Sequence, residues 1–254
     1  MSGPGYGPVS GPVSGLAPLR LACLDAEAPP LFSLWSDEHG RTGFEPAVAA
    51  LIASEIGQPV EWVRVPWAEM IPAVRSGRAD AVLCGQGITP SRREQVDFTR
   101  PYAVFHESVL VRRGSGICTP DDLVERRIAA IDGSTNMALA ETFTGAVPVA
   151  FGDDGSDDVY ADMLTALESG EVDGVVDDDV VFVPLGENDR RFEVAFTVPT
   201  GNRWALGVAK HRPEVREHLD AALGRVITDG RHRAVWEQWL PTLDYPFPTP
   251  DEEA

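Results

Sequence analysis

Residues 81–102 read AVLCGQGITPSRREQVDFTRPY, and the reading of this stretch decides how the rest of the chain is parsed. Ala81–Cys84 is a short apolar run that reads as a strand. Gly85 and Gly87 follow at once, and a residue without Cβ lets the backbone approach a ligand closely. Thr89-Pro90 then caps a short helix, with proline in the first turn. Arg92 lies one turn into it, beside backbone N–H groups that have no intrahelical acceptor. A guanidinium in that setting suits a carboxylate, which arginine holds through two parallel hydrogen bonds. A capped surface helix with two solvated arginines, Arg92 and Arg93, satisfies the same residues.

The strand-loop-helix unit repeats in both directions. Leu19–Leu24 and Val60–Val65 read as strands. Between them Phe44, Val48, Leu51 and Ile52 share one helix face that Gly57 ends. Met70, Ile71 and Val74 form a short helix. A loop-rich passage leads from there to a strand at Val109–Val111. The pattern then begins again, with Thr119-Pro120-Asp121-Asp122 as a helix start and strands at Ile128–Ile131, Val147–Phe151 and Val172–Val176. A helix opened by Gly133-Ser134-Thr135 and another lined by Val159, Met163, Leu164 and Leu167 separate those strands. Phe192–Val198 is apolar and rich in β-branched residues. Two helices close the chain, the first with Leu219, Leu223 and Val226 on one face, the second with Val235, Trp236 and Trp239, around a turn at Asp229-Gly230. Alternation of this kind builds open sheets covered on both faces. The restart near residue 112 predicts two α/β lobes with the ligand site in the cleft between them.

The 254 residues allow one large domain or two small ones. Charge is lopsided: 21 Lys+Arg against 40 Asp+Glu gives −19. So acidic a surface repels phosphate backbones and anionic lipid, which argues against nucleic-acid and membrane-surface partners. No apolar stretch approaches the ~20 residues of a membrane-spanning helix. Cys23, Cys84 and Cys118 are widely spaced with no CxxC, and the histidines show no HExxH, so neither a metal nor a cofactor is expected. Residues 1–18, with GPVS at 7–10 and again at 11–14, are too poor in apolar groups to fold and predict a flexible tail. They lack the pattern of a secretory signal. Cys23 sits inside LRLACL and reads as a strand cysteine rather than a lipid anchor. Pro241–Ala254 carries four prolines and an acidic finish, and reads as a second tail.

The run GxxITPxRxxxVDFTxPY resembles the signature of the family 3 solute-binding proteins, which bind amino acids for ABC transporters. Five further stretches match in the family's order: APPLFSLWSDEHGRTGF at 28–44, WAEMIPAVRSGRADAV at 67–82, IDGSTN at 131–136, LESGEVDGVVDDD at 167–179 and ITDGRHRAVWEQWL at 227–240. The resemblance spans residues 19–240. It implies a type 2 periplasmic-binding fold, two α/β lobes joined by a two-strand hinge. Lobe 1 would be 19–108 plus 200–240, lobe 2 would be 112–197, and the hinge strands would lie near Ser108–Val111 and Thr197–Thr200. It implies that Arg92 clamps an α-carboxylate, helped by the backbone N–H of Thr135 beside Ser134. Asp178 would accept from the α-ammonium, and Trp67 would pack on the ligand side chain. Gly85, Gly87 and Thr89 belong to the same binding loop. Each residue also has a structural reading: Asp178, Ser134 and Thr135 as helix caps, Trp67 as a half-buried core residue.

The chain departs from the family pattern at two places. Gly87 stands where many relatives carry Ser or Thr, leaving only an N–H there. Glu27-Ala28 replaces an aromatic, and with Asp25 it adds negative charge, which leads us to expect a ligand with a cationic or hydroxylated side chain unless Glu27 points into solvent. The implied protein is a monomeric, non-enzymatic binder of an amino acid or similar zwitterion, with an ABC permease as partner. Two alternatives stay open. A cyclohexadienyl-dehydratase-like enzyme would need an added acid, yet the position three residues beyond Asp178 is Val181. A cytoplasmic amino-acid sensor would fit the lack of an export signal, whereas the family implies an extracellular or cell-surface setting.

Overall fold

Two long antiparallel strands, β4 (Val96–Arg112) and β8 (Phe192–Ala209), form the spine of the molecule. The computed structural model describes residues 17–152 and 158–248. Beside the spine on one side lie β3 (Ala81–Val82), β1 (Leu19–Cys23) and β2 (Val60–Arg64). On the other lie β7 (Gly174–Asp178), β5 (Arg127–Ile131) and β6 (Val147–Phe151). The order is β2-β1-β3-β8-β4-β7-β5-β6. Within each wing the outer strands are parallel, whereas every pairing that involves β4 or β8 is antiparallel.

The spine changes partners halfway along. The end of β8 that meets β3 (Val82 opposite Gly207) pairs with the start of β4 (Val96 opposite Ala209). The other half of β4, Glu107–Val111, has β7 on its free edge. Each lobe thus owns one half of the spine, and the strand segments between the halves are the hinge. Ser108–Val111, expected as a hinge segment, lies in the half bordered by β7, with Ser108 opposite Asp177 on one side and Thr197 on the other.

Most elements match the sequence reading; the spine does not. Residues 96–108, expected to be loop-rich, are strand throughout, and β8 runs on through Pro199-Thr200-Gly201 to Ala209. Pairing shifts at Phe98/Pro101, Pro101/Ala103 and Phe105/Glu107 are bulges that spoil the two-residue period. Pro101 and Pro199 look like turn residues, but the cross-strand ladder overrides that preference.

Helices cover the sheet as the apolar faces predict. α1 (Phe44–Ile56) ends at Gly57 in the left-handed conformation. α2 (Met70–Arg75), α3 (Pro90–Gln95), α4 (Thr135–Ala140), α5 (Val159–Ser169) and α6 (Asp179–Asn188) follow, then α7 (Pro213–Thr228) and α8 (Arg231–Trp239). The closing helices return to the first lobe, where α1, α7 and α8 pack together. Their core is aromatic: the Phe44 and Trp236 rings lie 5.4 Å apart edge-on, Phe105 stacks on Trp236 at 5.5 Å, and Trp204 meets Phe105 at 4.8 Å. Such pairs add to the stabilisation from burying their large apolar area.

The expected C-terminal tail is not one over 241–248. Trp236 Nε1 donates to the Leu243 carbonyl at 3.0 Å, and the Tyr245 and Phe247 rings pack 5.7 Å from His232. Burial holds His232 down to about 4, so it packs there as a neutral ring. The remaining tail residues, 1–16 and 249–254, lie outside the described residues.

Gly43 joins the 28–42 loop to α1. Its φ is +133°, and a Cβ there would stand 2.4 Å from the Leu31 carbonyl oxygen. That close approach lets the Phe44 and Glu45 amides donate to Pro30 and Leu31. Gly43→Ala combines backbone strain with a clash against backbone, so urea unfolding is expected to show a loss of at least ~2 kcal/mol. An unchanged midpoint would contradict this account of the junction.

Candidate ligand-binding site

Arg92 is 6% exposed and sits at the mouth of the cleft. Thr89 positions it: the Thr89 hydroxyl accepts from the Arg92 amide and so caps α3. The guanidinium then spans the cleft. Nη1 donates to the Gly87 carbonyl at 2.9 Å, and Nη2 donates to the Gly133 carbonyl of the other lobe at 3.0 Å. The Trp67 ring lies 5.3 Å from it. Among the described residues no carboxylate forms an ion pair with Arg92. Burial pushes its pKa down to about 10, against the pull of Asp178.

Facing it, the end of β7 and the start of α6 supply an acidic wall. Glu107 on β4 is the ladder partner of Asp178, and Ser108 that of Asp177. All three acids are buried. Burial pushes Glu107 up to about 7, helped by the charges of Asp177 and Asp179. Burial also drives Asp178 well above the carboxylate range, and Asp177 and Glu107 drive it further. Asp177 rises less, to about 6, because the Asp178 amide, Tyr160 and Asn136 hydrogen-bond to it.

Between Trp67 and this wall lies a cavity of about 30 Å³. Leu31, Phe32, Trp67 and Trp204 form its apolar side. Asn136, Asp177 and Asp178 form its polar side, and each of these three has a buried side-chain oxygen with no hydrogen-bond partner among the described residues. Trp204 Nε1 is likewise unpartnered. Unsatisfied buried polar atoms are costly, and these line one space. A larger groove of about 570 Å³ runs beside Arg20, Asp80 and Arg212, but there Asp80 already pairs with both arginines.

A family model for bacterial extracellular solute-binding proteins, family 3, matches residues 21–242. The chain belongs to that family. The glutamine-binding protein of an ABC transporter from Bacillus subtilis (strain 168) is 26% identical over 216 residues, covering 83% of this chain and 77% of that protein. Arginine-binding protein 1 of an ABC transporter from Escherichia coli (strain K12) is 26% identical over 224 residues, covering 86% and 89%. Among solved structures, an ancestral arginine-binding protein bound to arginine aligns with a TM-score of 0.78 at 26% identity, over 87% of this chain and 97% of that one. These similarities identify the two lobes and their two-strand hinge as the type 2 periplasmic-binding fold.

The relatives are binding components of transporters, which makes this solute-binding protein a binder rather than an enzyme. Val181, where the dehydratase alternative would require an acid, is an apolar side chain buried on α6. Among the described residues no helix is long and apolar enough to cross a membrane, and no set of side chains is placed to hold a metal ion.

The structure gathers most of the sequence-derived site. Trp67, Gly85, Ser134, Thr135 and Asp178 line the cavity, and Arg92 and Gly87 meet beside it. Some individual roles differ from expectation. The Gly87 amide donates to the Gly85 carbonyl, so it is already engaged. A Cβ at Gly87 would come within 2.6 Å of Asn202 Oδ1 and 3.1 Å of Thr135 Cγ2, so Ser or Thr here would require the Asn202 side chain to move. The Ser134 hydroxyl caps α4 by accepting from the Met137 amide, and Thr135 Oγ1 accepts from Asn202. Gly85 donates to Glu45, a buried acid that also accepts from Tyr102.

Glu27 and Asp25 do not line the cavity. Glu27 is exposed and accepts from the Leu34 amide at 2.8 Å, while Asp25 pairs with Arg64 at 3.0 Å. Both acids have partners within the first lobe and neither lines the cavity, so they give no reason to expect a cationic side chain. Sequence reasoning passed over Asn136, Tyr160, Asp177 and Trp204, and also Glu107, which accepts from Thr200 across the hinge.

Glu107 gives a pH signature. Its native carboxyl keeps a proton up to about 7, whereas the unfolded chain loses it near the usual carboxylate value of ~4.3. The native state therefore binds more protons in that window, and this group's contribution to stability falls as pH rises through it. Glu107→Gln is expected to raise the unfolding temperature more at pH 8 than at pH 4.5, both relative to wild type. Equal shifts at the two pH values would contradict a buried, proton-holding Glu107.

Proposed function

We propose that the chain binds an amino acid or similar small zwitterion between its lobes and delivers it to an ABC-type permease. The observation that carries this reading is the pair of opposed surfaces. One is a buried guanidinium with only backbone carbonyls as partners, the other an acidic wall with unsatisfied oxygens. A carboxylate and an ammonium on one small molecule satisfy both, and a buried charge without such a partner is unfavourable.

In this reading Arg92 takes the carboxylate, with the Thr135 amide beside it. Asp177 and Asp178 face the ammonium, and Trp67 packs on the side chain. The lobes, 19–108 plus 200–240 and 112–197, move on the hinge, and ligand favours closure because only the closed arrangement offers contacts from both. Relatives named for glutamine and for arginine support amino acids as the ligand class.

Calorimetry with L-arginine, L-glutamine, L-histidine, L-glutamate and L-cystine tests it. At least one is expected to bind. Arg92→Ala is expected to weaken that binding about 30-fold or more, the usual consequence of truncating one member of a buried charge pair. Arg93→Ala, whose exposed guanidinium lies over Phe98, is expected to leave it within about twofold. Unchanged affinity in Arg92→Ala would refute the assignment.

A further inference from the structure

Two side chains of the first lobe reach across the cleft to one short turn of the second. Arg92 Nη2 donates to the Gly133 carbonyl at 3.0 Å, and Asn202 Nδ2 donates to Thr135 Oγ1 at 2.9 Å. The first contact belongs to the zwitterion site; the second is not explained by it. Asn202 lies on β8 opposite Phe105, just past Thr200-Gly201. Its amide nitrogen has two hydrogens, and it also donates to Glu107 Oε1 at 3.5 Å. Glu107 accepts in addition from the Thr200 hydroxyl. A neutral side chain thus joins the hinge to the first residue of α4.

Gly87 makes room for that side chain. A Cβ at 87 would stand 2.6 Å from Asn202 Oδ1, 3.2 Å from Asn202 Nδ2 and 3.1 Å from Thr135 Cγ2. The space that a side chain at 87 would take is therefore held by the Asn202 amide, which reaches Thr135 through it. The contact also stands between two spaces. Thr135 lines the cavity beside Trp67, and it lines a groove of about 580 Å³ shared with Glu107, Thr200 and Asn202.

We propose that Asn202 is a positioning residue of the binding site, a latch that acts through Thr135 to hold the second lobe against the first. This rests on the reading of the cleft as a zwitterion site and adds a residue to it. The latch needs no contact between Asn202 and the ligand. Its hydrogen bond is made only while the lobes are together, so it favours the closed arrangement and slows ligand release. It also fixes the Thr135 end of the turn whose other end, Gly133, meets Arg92. Gly87 is its counterpart, since a residue without Cβ leaves the amide where it stands.

The test is a mutant cycle on the full chain: Asn202→Ala, Gly87→Ser and the two combined, each checked for folding by circular dichroism. Affinities for L-arginine, L-glutamine, L-histidine, L-glutamate and L-cystine come from calorimetry, and release rates from stopped flow. Asn202→Ala is expected to weaken binding about three- to tenfold, the usual effect of losing one hydrogen bond, and mostly through faster release. Gly87→Ser is expected to weaken it by a similar factor, because the new side chain pushes the amide off Thr135. The losses do not multiply in the double variant, which binds no more weakly than Asn202→Ala within about twofold. If Gly87→Ser does not fold, Thr135→Val takes its place in the cycle with the same expectation. Affinity and release in Asn202→Ala within about twofold of wild type, or losses that multiply, would overturn the latch and leave the zwitterion reading standing. Failure of wild type to bind any of the five would overturn both.

Discussion

Arg92 is a permanent charge placed where water is scarce, and the architecture of the cleft answers to it. α3 is capped by Thr89 so that Arg92, in its first turn, is held inward, and the guanidinium touches the carbonyls of Gly87 and Gly133 on opposite lobes. Those two contacts come from backbone rather than from a carboxylate. Neutral acceptors satisfy the N–H groups but leave the charge itself without a counter-ion. An anion from outside the chain is the natural complement, and the lobe boundary is where one can enter.

Placing that charge at the boundary requires a fold in which two lobes share strands. β4 and β8 provide it, because each runs through both halves of the molecule and their pairing continues across the hinge. That pairing brings Thr200 and Asn202 onto Glu107, and β7, on the other edge of β4, sets Asp178 beside the same residue. The hinge and the acidic wall are therefore one construction. A rotation of one lobe against the other changes the surroundings of the carboxyls as well as the width of the cleft.

The alternation of strands and helices was legible because local signals carry it: Gly57 ending α1, Thr89-Pro90 opening α3, Ser134 capping α4. Arg92, Trp67 and Asp178 were legible through motif order. The long spine was not, since Pro101, Pro199 and Gly201 look like turn residues and only the partner strand keeps them extended. Asp177 was hidden for a related reason. Asp177-Asp178-Asp179 reads as a solvated acidic run, and burial comes from β4 laid alongside, a contact about 70 residues away in sequence. Glu27 shows the converse. Its charge suggested a ligand contact, but a nearby backbone amide, that of Leu34, had already claimed it.

The claim on which the rest depends is that the Arg92 side and the acidic side hold opposite ends of one molecule. A crystal structure of the chain with a bound amino acid addresses it directly. The account predicts the ligand carboxylate within hydrogen-bonding distance of the Arg92 guanidinium and the ammonium against Asp177 and Asp178, in the cavity beside Trp67. A ligand seated elsewhere, or one whose carboxylate turns away from Arg92, would contradict it.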